Sequence, residues 1–218
     1  EYKNAITIIS DIDKTNYTPI GDIRLVFSKL RVKATNAFSY KEASENNEIE
    51  AFNIGVKISK ALQQIRSKYT KGVKLNELST AYTVYDSNND AYLYEDTTKE
   101  KAMRQMISEF AIFANSFVGE YLKNTLNTGI FWTCEAKEWL SNTSSNITGE
   151  EMIQQIITNG ITADYLSSAK SHDLVGMPEY CHFTSPIRRL ADCICHYLLK
   201  YIHLQNKTPT IEMPFTEY

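Results

Sequence analysis

Apolar and polar positions alternate weakly over residues 2 to 9, a stretch rich in Ile and Thr, and the pattern ends where Asp11, Asp13, Asn16 and Pro19 supply turn chemistry. It predicts an edge strand and a loop. The mixed run from 22 to 32 fits a strand or a helix. Phe38-Ser39-Tyr40-Lys41-Glu42 reads as a helix entry, with Ser39 as the cap and Glu42 closing a capping box. From 49 to 69, Phe52, Val56, Ala61, Leu62 and Ile65 recur near helical spacing, and Lys68, Lys71 and Gly72 suit a helix C-terminus.

Two β-rich runs, 81 to 85 and 91 to 94, flank Asp86-Ser87-Asn88-Asn89-Asp90, which has the length and composition of a hairpin turn. Thr97 and Glu100 form a second capping box, opening a long helix to about Asn127. Its stripe is Met103, Met106, Phe110, Phe113, Phe117 and Tyr121, and Ile112 on the opposite face predicts cover on two sides. Beyond Gly129 the pattern is short and broken, and 135 to 140, 149 to 158 and 163 to 170 read as short helices. Ser185 as cap and Pro186 at the first helical position predict a last helix to about Leu204. Its buried stripe is Ile187, Leu190, Ala191, Ile194, Leu198 and Tyr201, which leaves Arg188, Asp192 and Cys195 on another face. With neither repeats nor a linker, the expectation is a single domain over 1–218.

Composition narrows the class. A chain of 218 residues, 43% apolar and 22% charged, can bury one sizeable core and is unlike a disordered segment. No apolar run approaches the roughly 18 residues that span a bilayer, and the polar N-terminus lacks a signal-peptide pattern, so no membrane partner is expected. Cys134, Cys181, Cys193 and Cys195 are too sparse and irregular for a disulfide framework and suit buried thiols in a reducing compartment. The expected location is intracellular, cytoplasmic ahead of nuclear. A formal charge of -3 argues against a protein that coats nucleic acid with a broad basic surface, so any RNA contact is confined to a groove.

The densest chemistry lies in Tyr180-Cys181-His182-Phe183-Thr184-Ser185-Pro186-Ile187-Arg188-Arg189-Leu190-Ala191-Asp192, followed by His196. Two arginines in the first turn of a helix oppose the positive end of its dipole by a few tenths of a kcal/mol each unless an anion binds. Guanidinium forks beside free N–H groups suit a phosphate. The competing reading is that Asp192 pairs with Arg188 or Arg189 at helical spacing and the arginines are surface decoration. Five Cys and His residues here, Cys181, His182, Cys193, Cys195 and His196, lack a C-x-x-C knuckle, and Cys193 and Cys195 point to different helix faces, so no zinc is expected.

This stretch resembles the signature of the ribonuclease II/R (RNB domain) family of 3′→5′ exoribonucleases, approximately Y-x-H-F-T-S-P-I-R-R-Y-x-D followed by a histidine. In the same order, FSYKEA is similar to the family's L-S-Y-E-E-A, MISEFAIFANSFVGEYL to its I-E-E-F-M-I-L-A-N helix, and His172-Asp173-Leu174 to its H-x-L. The resemblance implies an α+β RNB-type catalytic fold with mixed or antiparallel strands and one long central helix. The chain would be the C-terminal two-thirds of that catalytic domain, truncated at both ends. It implies processive hydrolysis of single-stranded RNA to nucleoside 5′-monophosphates by two-metal-ion chemistry with Mg²⁺. By position, Arg188 would contact the scissile or adjacent phosphate. Tyr40 and Glu109 would contact the 3′-terminal nucleotide and active site, and Arg189, Thr184, Ser185, His182 and Tyr180 would line the RNA. Flanking oligonucleotide-binding domains are implied as well.

The chain departs from the family pattern at several positions. Leu190 stands for the usual tyrosine, Tyr197 for an arginine, and Ser108 for the first glutamate of the E-E-F pair, while R-x-H-E-x-P survives only as Phe131-Trp132-Thr133-Cys134-Glu135-Ala136. The aspartate-rich metal motif lies upstream of these segments in the family, and Asp11 and Asp13 lack its spacing. The metal ligands are therefore expected before Glu1, with none in this chain, which alone would be inactive. The alternative is a catalytically inactive RNB-fold protein that binds RNA as a scaffold.

Overall fold

A computed structural model describes residues 2–31, 33, 37–46, 49–71, 81–95, 97–136 and 163–205. The first two runs pair as an antiparallel hairpin of β1 (Tyr2–Ile12) and β2 (Pro19–Arg31). Leu25 opposite Ile8 and Phe27 opposite Ile6 are cross-strand apolar pairs, which is why the ambiguous second run is a strand and not a helix. Asp13 Oδ1 accepts the Thr15 N–H at 2.6 Å, an Asx-type turn. Asp11, expected in that turn, still belongs to β1 and pairs with Ile20 after a bulge.

Helix α1 (Tyr40–Glu45) begins with the expected box: the Ser39 N–H donates to Glu42 at 2.7 Å and the Glu42 N–H donates to Ser39 Oγ at 3.2 Å. In α2 (Glu50–Ser67) the buried positions are Gly55, Ser59, Ala61 and Leu62, whereas Ile65 is exposed. The expected stripe of large residues is thus displaced toward small ones. The reason is close approach, since a Cβ on Gly55 would lie 2.5 Å from Met106 Sδ. The helix ends at Ser67, short of the expected 69, and Gly72 falls outside the described residues. β3 (Ala81–Tyr85) and β4 (Ala91–Glu95) form the expected hairpin, its turn held by Asp86 Oδ1, which accepts the N–H groups of Asn88 and Asp90 at 2.9 Å.

Helix α3 (Thr98–Leu126) opens on the second box, with the Thr97 N–H on Glu100 at 2.8 Å. Met103 and Met106 are buried as expected, but Phe110, Phe113, Phe117 and Tyr121 are only half-buried. The fully enclosed positions beyond Met106 are Glu109, Asn115, Val118 and Leu122. Half-buried Ile112 agrees with cover on more than one face.

Two compact units divide the chain, one of Glu1–Ile65 and Leu75–Phe110, the other of Arg66–Lys74 and Ala111–Tyr218. In the second, β5 (Phe131–Thr133) pairs antiparallel with β6 (Asp164–Leu166), so residues 164 to 166 of the run read as a helix are a strand. Pairing with β5 overrides the local preference of that short run. Glu135 and Ala136 are not helical, and residues 137–162, on which the rest of that expected helix and the one expected over 149 to 158 fall, lie outside the described residues.

Helix α4 spans Leu190–Gln205 and not 186 onward. Pro186 to Arg188 form a turn, and the first helical bond runs from the Cys193 N–H to the Arg189 carbonyl at 3.4 Å, which makes Arg189 the N-cap. The buried face is Asp192, Cys195, Leu198, Leu199 and Ile202, while Ile187 and Leu190 are 97% and 76% exposed. The face expected to be polar is the buried one at its start. The cause is an ion pair that Asp192 makes inside the fold.

Candidate functional site

Within the second unit, the backbone around the signature is held by one residue of α3. Asn115, 2% exposed, donates through Nδ2 to the Tyr180 hydroxyl at 3.0 Å and accepts the Phe183 N–H on Oδ1 at 2.9 Å. A buried amide that satisfies partners on both sides of Cys181-His182 fixes that stretch of chain. Gly119, one turn on, lets it come close, because a Cβ there would meet the Glu179 and Tyr180 backbone at 3.1 Å. Trp132 in β5 donates its N–H to the Tyr180 carbonyl at 2.7 Å, so β5, α3 and the signature are tied together.

Downstream, Asp192 organises the turn. Its carboxylate, 0% exposed, accepts Arg189 Nε at 2.7 Å, Arg189 Nη2 at 2.9 Å and the Ser185 N–H at 2.7 Å. This is a bidentate, charge-assisted pair with a third bond that anchors the turn's start. It separates the two arginines. Arg189 is committed to Asp192, while Arg188 is exposed at the turn and its side chain makes no hydrogen bond or ion pair among the described residues. The charge that faces solvent is Arg188. Thr184 is exposed beside it, and Ser185 is half-buried with its N–H in use.

His182 sits in a ring cluster. Its Nδ1 lies 2.5 Å from the Tyr165 hydroxyl, and its ring centroid is 5.3 Å from Trp132 and 5.8 Å from Tyr180. Burial, reinforced by the Arg189 guanidinium, pushes its pKa down to about 4, so the imidazole is neutral at pH 7. Burial likewise lowers that of His172 and raises those of the Tyr165 and Tyr180 hydroxyls. Cys181 and Cys195 are buried against each other, and their mutual hydrogen bond, followed by burial, raises the Cys181 thiol. His196 closes the back of the site, stacked on Phe183 at 4.7 Å with Nε2 2.9 Å from the Phe183 carbonyl.

Tyr40 and Glu109 belong to the first unit. Tyr40 is the first residue of α1, with the Arg104 guanidinium 4.3 Å from its ring centroid. Glu109 is 1% exposed and accepts Gln105 Nε2 at 2.6 Å. Among the departures, Leu190 and Tyr197 are both exposed, and Ser108 is exposed next to buried Glu109. Reasoning from sequence missed Asn115, Trp132 and Tyr165. An Asn in the apolar stretch of α3 was the signal available for Asn115, whereas Tyr165 lay in a run taken for a helix.

The RNB domain family matches residues 2–205. The chain belongs to the RNB domain family. Ribonuclease R of Buchnera aphidicola subsp. Acyrthosiphon pisum (strain APS) is 40% identical over 58 residues, 26% of this chain and 8% of that protein. Mycoplasma genitalium RNase R, solved in complex with ribose methylated single-stranded RNA, superposes with a TM-score of 0.72 at 18% identity over 97% of this chain and 38% of that one. Yeast Ssd1, described as a pseudonuclease, superposes at 0.62 and 16% identity over 98% of this chain and 30% of that one. The α+β arrangement is the RNB-type fold. The chain spans well under half the length of these relatives. RNB relatives thus include a ribonuclease and a pseudonuclease, and nucleases of the family are generally dependent on divalent metal. Among the described residues no three His, Cys, Asp or Glu side chains converge as a ligand set, so these residues do not fit the Mg²⁺ that the resemblance implies.

Proposed function

We propose that this chain is the RNA-holding part of a 3′→5′ exoribonuclease that shortens single-stranded RNA processively to nucleoside 5′-monophosphates. The observation that carries the reading is the solvent-facing Arg188 on a turn locked by the Asp192–Arg189 pair, inside the RNB signature. A guanidinium that faces solvent from a held turn and has no anionic partner among the described residues is suited to a phosphate and to the charge that develops on it during hydrolysis. Thr184, Ser185, His182 and Tyr180 line the neighbouring chain, and Arg189 acts by holding, through Asp192, the turn that carries Arg188. Tyr40 and Glu109 take the 3′-terminal nucleotide. The Mg²⁺ of two-metal hydrolysis would need carboxylates beyond those described. Oligonucleotide-binding domains beside the catalytic domain, and a cytoplasmic setting, belong to the same reading.

The likeness to Ssd1 favours a second reading, an RNB-fold protein that binds RNA without cutting it. The two separate in one assay on the protein expressed from its complete coding sequence, using a 5′-labelled RNA with a single-stranded 3′ tail and Mg²⁺. A ladder that shortens from the 3′ end supports the exoribonuclease. Intact RNA that remains bound supports the scaffold.

A further inference from the structure

Beside the arginine turn the second unit carries a ring cluster whose Trp132 and Tyr165 the phosphate reading does not use. Trp132 and Tyr165 face each other across the β5–β6 pair with centroids 4.4 Å apart, and His182 completes the group at 5.3 Å from Trp132 and 5.7 Å from Tyr165. Exposure grades outward through it: Tyr180 is 7% exposed, Trp132 and His182 are half-buried, and Tyr165 is 44% exposed. The Trp132 backbone and the Tyr165 ring are held from behind. The Trp132 backbone N–H donates to the Tyr180 carbonyl, and the Tyr165 hydroxyl is bonded to His182 Nδ1. Whichever of that pair donates, His182 Nε2 has no partner among the described residues, so the cluster presents a polar edge as well as ring faces. Arg188 and Arg189 both act electrostatically on His182, and Arg189 also acts on Tyr165. Asp192, the ion-pair partner of Arg189, acts on both groups in the opposite sense, which leaves Arg188 as the unpaired cation near His182 among the described residues.

We propose that Trp132 and Tyr165 form a stacking platform for an unpaired base of single-stranded RNA, with His182 Nε2 at the base or ribose edge. The proposal rests on the exoribonuclease or RNA-binding reading above and adds a base contact to its phosphate contact. A pair of part-exposed rings, tilted 47° to each other and with the Arg188 guanidinium nearby, suits a ligand that alternates π-faces and anions, which an apolar protein surface does not. Stacking of this kind tolerates any base, so the platform would grip the strand without reading its sequence.

The test is equilibrium binding, without Mg²⁺, of a fluorescently labelled oligouridine and of an abasic ribose-phosphate oligomer of equal length to the complete protein. The proteins compared are the parent, Trp132→Ala, Tyr165→Ala, Trp132→Phe and Arg188→Ala, each first shown to keep the parent's circular dichroism and cooperative melting. The platform predicts that Trp132→Ala and Tyr165→Ala each weaken oligouridine about tenfold and leave the abasic oligomer within about twofold, and that Trp132→Phe restores most of the loss. Arg188→Ala weakens both ligands. Equal loss on both ligands for Trp132→Ala and Tyr165→Ala, or no loss on either while Arg188→Ala still weakens both, overturns the platform and leaves the phosphate reading standing. Failure of the parent to bind either ligand overturns both. If Trp132→Ala does not fold, exposed Tyr165→Ala and the conservative Trp132→Phe decide, the latter by the steady-state quenching of its fluorescence difference from the parent on binding oligouridine.

Discussion

Asp192 decides which arginine is available. A fully buried carboxylate that takes three bonds leaves Arg189 no freedom and Arg188 all of it. Asp192→Ala leaves the Arg189 guanidinium and the Ser185 N–H without their acceptor, and is expected to destabilise the protein by about 3 kcal/mol in urea unfolding. A loss under about 0.5 kcal/mol would mean that the pair does not hold the turn. His182 gives a pH signature at the same scale. Its pKa is about 4 in the fold against an ordinary 6.5, so as pH falls below about 6.5 the unfolded chain takes up a proton that the folded chain refuses. The stabilisation is complete above that pH and is lost as pH falls toward 4, and buried His172 acts in the same direction. His182→Gln is therefore expected to flatten the decline of the urea midpoint between pH 7.5 and 4.5. An unchanged slope would show that His182 is not held neutral by its surroundings.

At the scale of elements, α3 is the support for the signature. Asn115→Ala removes two buried side-chain bonds and leaves the Phe183 N–H and the Tyr180 hydroxyl unsatisfied, at an expected cost of about 2 kcal/mol. RNA affinity should fall with it, because the chain from Tyr180 to Phe183 loses its register; a destabilised variant with unaltered affinity would sever α3 from the site. Much of this architecture was legible. The capping boxes at Ser39 and Thr97 and the Asp86 turn act through neighbours three or four residues away, so local sequence contains the whole interaction. β6 was not legible, since its strand exists only by pairing with β5 some thirty residues earlier in the chain. The start of α4 failed for a similar reason. Ser185 and Pro186 have helix-start chemistry, but the chain there closes a single turn, with the Arg188 N–H on the Ser185 carbonyl, and the first helical bond runs from Cys193 to Arg189. Once the helix begins there, Ile187 and Leu190 leave the core and Asp192 enters it.

For the molecule as a whole, the signature disclosed the family from its residues alone, whereas the division of labour between its arginines needed the fold. Within that arginine pair, Arg189 is the salt-bridge partner and Arg188 is the cation that faces solvent. The central claim is that this exposed guanidinium meets a phosphate whose charge grows during RNA hydrolysis. The most direct measurement is the single-turnover rate at which the complete protein, with Mg²⁺, shortens a 5′-labelled RNA bearing a single-stranded 3′ tail, for the parent and for Arg188→Ala. The account predicts a 3′-end ladder for the parent and a rate at least about 10²-fold lower for the variant at saturating protein, the scale expected for a contact to transition-state charge. Equal rates for the two proteins would contradict it.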